Sequence, residues 1–157
     1  MNLKYIWLPF TIVVLLDRIT KLLIVNNMSL GESVEIIQGF FHLTYILNPG
    51  AAFGILAGQQ WFFIVTAIIV LVFIIYFQNK LPADQRLLRV CMGMIAGGAI
   101  GNLIDRLFLS VVVDFLDFKI WPYIFNIADS MIVVGGLLMV ILVYRMDKAA
   151  ERKVKDG

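Results

Sequence analysis

The sequence predicts an all-α membrane bundle of four transmembrane helices with a small β-sheet outside the membrane, between helices 1 and 2. Of its 157 residues, 61% are hydrophobic and 15% charged, and the mean hydropathy is +0.92, too apolar for a soluble domain of this size. A membrane-spanning helix needs about 20 mostly apolar residues, and four windows qualify, at about 6–25, 61–77, 87–108 and 127–144. They are apolar on all sides without period-two alternation, which favours helices over a β-barrel.

The first window could be mistaken for a cleaved secretory signal, because Lys4 precedes an apolar run. However, Asp17, Arg18 and Lys21 interrupt the second half of that run, and no small-residue cleavage site follows it. We therefore expect a retained helix and a single integral membrane domain over residues 1–157.

Lys and Arg flank the spans mainly on one side, which sets the expected orientation, since cytoplasmic loops retain positive charge during insertion. That side carries Lys4, Lys80, Arg86, Arg89, Arg145, Lys148, Arg152, Lys153 and Lys155. The opposite side carries only Lys119, so we expect both termini in the cytoplasm. The net charge of +2 reflects this flanking pattern, and no nucleic-acid partner is expected.

The outer segment at about 31–58 predicts a small sheet on the membrane surface. Residues 34–37 and 40–47 are rich in β-branched and aromatic side chains, and Gly31, Gly39 and the Asn48-Pro49-Gly50 turn bound them. Such a sheet could bind an extended peptide as an added strand, dip into the interface, or cap the bundle. Residues 109–126 are expected to form a short connection, and the tail after Tyr144 a frayed, solvated extension.

Polar side chains in the spans lie at one depth, near the outer ends, when position is converted at about 1.5 Å per residue. The cluster comprises Asp17, Thr20, Lys21, Asn102, Asp105, Arg106, Asn126 and Asp129, joined by Asn48 and Asp114 from the outer connections. Because charge is costly in lipid, such groups are expected to be paired or functional. Metal and cofactor chemistry is not expected, since Cys91 and His42 are the only residues of their types.

Part of this cluster is expected to be structural. Asp17 and Lys21 are four residues apart on one helix face, where they can neutralise each other and fix the first span against the third. In the third span, Gly93, Gly97 and Gly101 recur every four residues and indicate a face for close helix packing.

The outer end of the third span carries three further polar groups. Asp105 is expected to pair with Arg106 or with the lysine of the first span, although neighbouring residues on a helix do not face each other. For Asn102 and Arg106, contact with a substrate backbone and packing between helices are both open alternatives.

Asp114 and Asp129 are the candidate catalytic groups. Two nearby carboxyls cannot both ionise easily, so one holds a proton while the other acts as a base, as in aspartic proteases. Asn126, three residues before Asp129, could orient a carboxylate or a scissile carbonyl. Alternatively each Asp caps a helix or faces water alone. A proton relay of a small transporter and a lipid-binding scaffold are alternative functions.

Five segments together resemble the signature blocks of bacterial lipoprotein signal peptidase, also called signal peptidase II. They occur in the same order as in that family and extend over most of the chain. The segments are Asp17-Arg-Ile-Thr20-Lys21, Asn48-Pro-Gly50-Ala-Ala-Phe-Gly54, Gly97-Gly-Ala-Ile-Gly101-Asn102-Leu-Ile-Asp105-Arg106, Val112-Val-Asp114-Phe115 and Phe125-Asn126-Ile-Ala128-Asp129.

The resemblance implies an intramembrane aspartyl endopeptidase of the bacterial cytoplasmic membrane, active at the outer leaflet. It would remove the signal peptide from diacylglyceryl-modified prolipoproteins just before the lipidated cysteine, with Asp114 and Asp129 as the catalytic pair. The implied pocket residues are Asn48, Gly50, Asn102, Arg106, Asn126 and Ala128. Asp17, Lys21 and Asp105 would support the fold.

The resemblance also implies a surface sheet called a cradle, a short amphipathic periplasmic helix after the Asn48 block, and inhibition by cyclic depsipeptide antibiotics. Membrane lipids are the other expected partners, and we expect a monomer.

Overall fold

The computed structural model describes residues 4–50, 58–82 and 84–155. Within these residues four helices and four strands alternate in groups along the chain. In chain order the elements are α1 (Lys4–Asn27), β1 (Ser33–Ile37), β2 (Phe41–Asn48), α2 (Gln60–Gln78), α3 (Arg86–Leu109), β3 (Val112–Phe118), β4 (Ile124–Phe125) and α4 (Ile127–Lys155). The short helix expected after the Asn48 block falls on residues 51–57, which lie outside the described residues.

Helix α3 is the central helix of the bundle, with α1, α2 and α4 packed around it. In its most apolar 18-residue stretch 61% of residues are buried, against 11% for α2 and for α4. Among the residues that the structure describes, three helices are long and apolar enough to cross a membrane, namely Gln60–Gln78, Arg86–Leu109 and Ile127–Ala149. Helix α1 has the same length as α3, 24 residues, but carries three charges within its C-terminal half.

The glycines of α3 bring the neighbouring helices into backbone contact, which confirms the predicted packing face. A Cβ at Gly97 would lie 2.8 Å from the carbonyl oxygen of Phe10, and one at Gly98 would collide with the carbonyl oxygen of Ala128. A Cβ at Gly101 would lie 2.6 Å from the Asp17 carboxylate. Any larger residue would therefore push α1 or α4 away from α3.

The sheet is antiparallel throughout, in the order β1-β2-β3-β4, with Ile46 of β2 opposite Asp114 of β3. The sheet was predicted between helices 1 and 2, but the segment between α1 and α2 supplies β1 and β2, while β3 and β4 lie in the connection over 109–126 and complete the sheet. Val113 and Phe115 of β3 pack against Ile24 at the end of α1, which gives this strand a buried face. The sheet is thereby fixed to the end of the bundle at which α1 ends.

The tail after Tyr144 also differs from expectation, since α4 continues without a break to Lys155. Its residues are mostly Ala, Glu, Lys, Arg and Met, which are the strongest helix formers, so charge alone does not end the helix. A helix that is already nucleated in the membrane can propagate into such a segment at little cost.

Candidate active site

Asp114 lies on β3, between the sheet and the helix bundle, and its side chain is almost fully buried, at 1% exposure. Each carboxylate oxygen accepts one amide hydrogen bond. Asn48 Nδ2 donates to Oδ2 at 2.8 Å, and Asn126 Nδ2 donates to Oδ1 at 2.6 Å. The strand fixes the backbone and the two amides fix the carboxyl plane.

Asp129 lies in the first turn of α4, where a carboxylate complements the helix dipole. Its backbone N–H donates to Asn126 Oδ1 at 2.9 Å, so Asn126, which directly precedes α4, is the N-cap of this helix. Asn102 of α3 donates from Nδ2 to Asp129 Oδ1 at 2.6 Å. The side chain of Asp129 is thus oriented by one helix and supported by another.

A chain of amide hydrogen bonds connects the two carboxyls. Asn126 Nδ2, which bonds Asp114, also lies 3.1 Å from Asn102 Oδ1, and the same Asn102 donates to Asp129. Lys21 Nζ donates to Asn102 Oδ1 at 3.1 Å and so fixes which end of that amide faces Asp129. The structure therefore brings both predicted catalytic residues to one site, although they come from different elements.

The electrostatics of Asp114 favour a retained proton. Burial is the main cause that raises the pKa of Asp114, the negative charge of Asp129 is the second, and together they bring it to about 7. The hydrogen bonds from Asn48 and Asn126 act in the opposite direction, because they stabilise the ionised carboxylate. One carboxyl near neutral pKa beside a second carboxylate is the arrangement that acid–base catalysis requires.

The predicted structural residues form ion pairs beneath this site. Lys21 Nζ lies 3.0 Å from Asp17 and 2.7 Å from Asp105, and all three side chains are buried. The expected pairing of Asp17 with Lys21 is confirmed. Asp105 was expected to pair with either Lys21 or Arg106, and it pairs with Lys21. Arg18, for which no role was predicted, pairs with the carboxylates of both Asp17 and Asp105.

Arg106 lies beside the two carboxyls, and its guanidinium stacks 4.6 Å from the centre of the Phe63 ring of α2. Its Nη2 approaches the Gly50 carbonyl oxygen at 3.4 Å. The Gly50 N–H in turn donates to Asn48 Oδ1 at 2.9 Å, which orients the amide that holds Asp114. The role of Phe63 had no signal in the sequence, since it is one aromatic among many apolar residues of α2.

A cleft of about 1390 Å³ opens above the carboxyl pair, between β3, β4 and α4. Its polar lining includes Asn48, Gly50, Arg106, Asp114 and Asp129, and most of the remaining wall is apolar, including Ile120, Trp121, Ile132 and Val133. Asn102 and Asn126 lie behind the carboxyls as their hydrogen-bond partners.

Ala128 was expected in the pocket, but its exposure is 0%, and it packs in the contact between α3 and α4. Its small side chain is needed there because Gly98 and Gly101 bring the two helices together. Among the residues that the structure describes, no group of three His, Cys, Asp or Glu side chains is placed to hold a metal ion.

The comparison with known proteins decides the family of this chain. A family model described as signal peptidase (SPase) II matches residues 10–145. The chain belongs to the signal peptidase II family. A lipoprotein signal peptidase of Desulfitobacterium hafniense is 55% identical over 151 residues, which cover 96% of this chain and 99% of that protein. One of Halothermothrix orenii is 42% identical, covering 93% and 99% of the two chains.

Solved structures of bacterial membrane enzymes share the fold of this signal peptidase II family member. A bacterial membrane enzyme determined by the in meso method at 2.3 Å resolution superimposes with a TM-score of 0.81 and 39% identity, over 88% of this chain and 86% of that one. A second such structure, at 1.9 Å, gives 0.79 and 40%, over 87% and 90%. The chain is thus a multi-pass membrane protein and an aspartic peptidase, a hydrolase that processes lipoproteins.

Proposed function

We propose that Asp114 and Asp129 are the catalytic pair of an intramembrane endopeptidase that cleaves diacylglyceryl-modified prolipoproteins just before the lipidated cysteine. The single observation that carries this proposal is the amide-linked pair of carboxyls at the floor of one cleft. The rest of the site supplies positioning for this pair and an apolar wall beside it.

The pair can perform hydrolysis with one shared proton. The ionised carboxylate takes a proton from water as the water oxygen adds to the scissile carbonyl carbon, and the protonated carboxyl donates its proton to the carbonyl oxygen. When the tetrahedral intermediate collapses, the carbon–nitrogen bond breaks and the leaving amine takes a proton from the pair. The hydroxyl of the intermediate returns a proton as the carbonyl forms again, so the pair ends with one proton.

Other residues of the site have separate roles in this proposal. Asn48 and Asn126 orient Asp114, and Asn102 orients Asp129. Gly50 and Arg106 line the cleft next to the carboxyls, where they can contact the substrate backbone. Arg106 is well suited to this because its planar guanidinium is held by stacking and retains donors for a carbonyl.

The apolar wall of the cleft fits a substrate that is itself anchored in lipid. Ile132 and Val133 belong to α4, and Ile120 and Trp121 to the turn between β3 and β4, where they are exposed. A signal helix and acyl chains would already lie in the outer leaflet, so their alignment supplies much of the positioning that catalysis needs.

The orientation that we propose has both termini in the cytoplasm, α1 as a fourth transmembrane helix, and the active site at the outer leaflet of the bacterial cytoplasmic membrane. The unequal distribution of Lys and Arg around the spans supports it. The whole chain then acts as one integral membrane peptidase domain. We also propose that it works as a monomer and that cyclic depsipeptide antibiotics inhibit it by occupying the carboxyl pair.

A cleavage assay tests the proposal directly. Purified protein in detergent is mixed with a diacylglyceryl-modified precursor and with the same precursor lacking the lipid, and the products are separated on a gel and their termini identified. We expect cleavage of the lipidated precursor alone, just before the modified cysteine. No cleavage without other components would favour the proton relay or the lipid-binding scaffold instead.

The pH dependence of turnover follows from the shared proton. Because burial and Asp129 raise the pKa of Asp114 in the free enzyme to about 7, kcat/KM should fall as the pH rises through this value and the pair loses its proton. Asn48→Ala removes a donor that stabilises the ionised form, so it should raise the pKa of Asp114 and move the descending limb to higher pH. The measurement is kcat/KM against pH, from about 5 to 9.

Asn79→Ala is the matched control for this experiment, because Asn79 is an exposed asparagine whose side chain donates to the Ile75 carbonyl oxygen at the end of α2. In Asn79→Ala the descending limb of the pH profile should lie at the same pH as in the unchanged enzyme. A limb that moves to lower pH in Asn48→Ala would contradict the assigned role of Asn48.

A further inference from the structure

Four charged side chains form a closed ring beneath the carboxyl pair. Arg18 Nη1 lies 2.7 Å from Asp105 Oδ1, and Arg18 Nη2 lies 2.8 Å from Asp17 Oδ2. Lys21 Nζ lies 3.0 Å from Asp17 Oδ2 and 2.7 Å from Asp105 Oδ2. The charges alternate in sign and sum to zero, and we call Asp17, Arg18, Lys21 and Asp105 the charge ring.

The two carboxylates of the charge ring also accept backbone hydrogen bonds. Asp105 accepts the N–H of Val113 at 3.2 Å, and Asp17 accepts the N–H of Ala128 at 3.1 Å. Val113 immediately precedes Asp114, and Ala128 immediately precedes Asp129. One ring therefore holds the backbone beside each member of the carboxyl pair.

We propose that the charge ring sets the separation of the two carboxyls of the active site, with Arg18 as a positioning residue for catalysis. The inference rests on the proposed roles of Asp114 and Asp129. Strand β3 is joined to the ring through Asp105, and helix α4 through Asp17. The distance between these two carboxylates then governs the distance between the strand and the helix at the point where each presents its catalytic side chain.

Arg18 is the ring member that suits this task because its planar guanidinium can bridge two carboxylates in a fixed geometry. It also donates from Nη2 to the Gly101 carbonyl oxygen at 3.1 Å, which ties the ring to α3. Without Arg18, Lys21 would remain as the single cation between two buried carboxylates. Their repulsion would open the ring and move the backbones that depend on them.

The charge ring lies outside the cleft, so its effect on catalysis is indirect. None of its members is among the residues that line the cleft. A loss of positioning should therefore lower kcat and leave KM nearly unchanged, because a small misplacement of catalytic groups reduces turnover far more than binding. A merely structural role would lower the amount of folded enzyme without changing its kcat.

The test compares Arg18→Gln and Arg18→Lys in detergent-purified enzyme, with a diacylglyceryl-modified precursor as substrate. Folded enzyme is quantified by gel filtration and thermal unfolding, and kcat and KM are measured per folded molecule. We expect Arg18→Gln to lower kcat on the order of 10²-fold, and Arg18→Lys, which keeps the charge without the planar fork, on the order of 10-fold. Arg152→Gln, at an exposed arginine near the end of α4, is the matched control.

Folded Arg18→Gln with the kcat of the unchanged enzyme would overturn the inference. If Arg18→Gln does not accumulate, Arg18→Lys decides, since an unchanged kcat in that variant means that no bridging fork is required. Asp114→Asn in the same assay separates the two proposals. If Asp114→Asn is inactive while the Arg18 variants are fully active, only the positioning role fails, whereas an active Asp114→Asn removes the proposed pair itself.

Discussion

Asp114→Asn should abolish processing of a lipidated precursor, with kcat lowered on the order of 10³-fold to 10⁴-fold. An amide has nearly the same shape as the carboxyl but can neither hold the shared proton nor accept one from water. Asp129→Asn should have an effect of similar size, and the double variant should lose little more, because residues that act as a unit are not additive. Initial rates with purified enzyme and a lipidated precursor measure this loss.

Asp117→Asn is the matched control for these substitutions. Asp117 lies on the same strand as Asp114, three positions along it, and its carboxylate pairs with Thr44 and Lys119 away from the cleft. It should retain most of the activity. Turnover at the normal rate by a well-folded Asp114→Asn variant would exclude the carboxyl pair as the catalytic group.

Gly98→Ala should have the second largest effect, on both stability and turnover. The new Cβ would collide with the Ala128 carbonyl oxygen and would lie 2.7 Å from Ile132 Cγ1, so α4 must move away from α3. Overpacking of this kind costs about 1–3 kcal/mol. Because Asp129 follows Ala128 directly, the shift also displaces a catalytic carboxyl, and kcat should fall on the order of 10²-fold. Thermal unfolding in detergent and initial rates report the two effects separately.

Gly136→Ala provides the control within α4, because a Cβ there would meet no atom of the described residues of the neighbouring elements within 4 Å. It should stabilise the helix by about 0.5–1 kcal/mol, since alanine loses less backbone entropy than glycine. The two glycine substitutions are thus expected to change the melting temperature in opposite directions. Equal stability and equal activity in the two variants would contradict the close contact between α3 and α4.

Much of this site was predictable because a charged side chain in a membrane helix is costly and therefore indicates an ion pair or a functional group. Asp17, Lys21 and Asp105 stood out at one depth in apolar helices, and each proved to be in an ion pair. The glycine spacing of α3 predicted a packing face, because few other reasons exist for small residues every four positions in a membrane helix. The resemblance to signal peptidase II identified Asp114 and Asp129 as the catalytic pair. Their depth alone was also compatible with helix capping or with exposure to water.

Other features had no local signal in the sequence. Strand β3 was missed because its two aspartates interrupt an apolar run, and its partners come from a segment some 70 residues earlier in the chain. Ala128 was placed in the pocket since its block suggested it, whereas only the helix crossing shows that its size serves packing. Arg18 had no assigned role because neighbouring residues such as Asp17 and Arg18 do not normally face each other on a helix, and its long side chain reaches Asp105 on α3 instead.

The location of the pair explains why an acid mechanism suits this membrane enzyme. In the orientation that we propose, a signal peptide anchored in the bilayer would present its scissile bond at the outer interface, where α4 begins and the sheet joins the bundle. Burial at this site raises the pKa of Asp114 enough to keep a proton available near neutrality. We therefore expect the depth of the two carboxyls in the membrane to be as important for catalysis as their chemical identity.

The most direct test is an experimental structure of the enzyme with a hydroxyl-bearing transition-state analogue of a lipidated precursor. The hydroxyl oxygen stands for the attacking water, and its distances to the carboxyl oxygens of Asp114 and Asp129 are the measured quantities. We expect both carboxyls within hydrogen-bond reach of it, at about 2.6–3.2 Å. A hydroxyl bound by one carboxyl alone, with the other beyond the reach of one bridging water, would contradict the shared-proton mechanism.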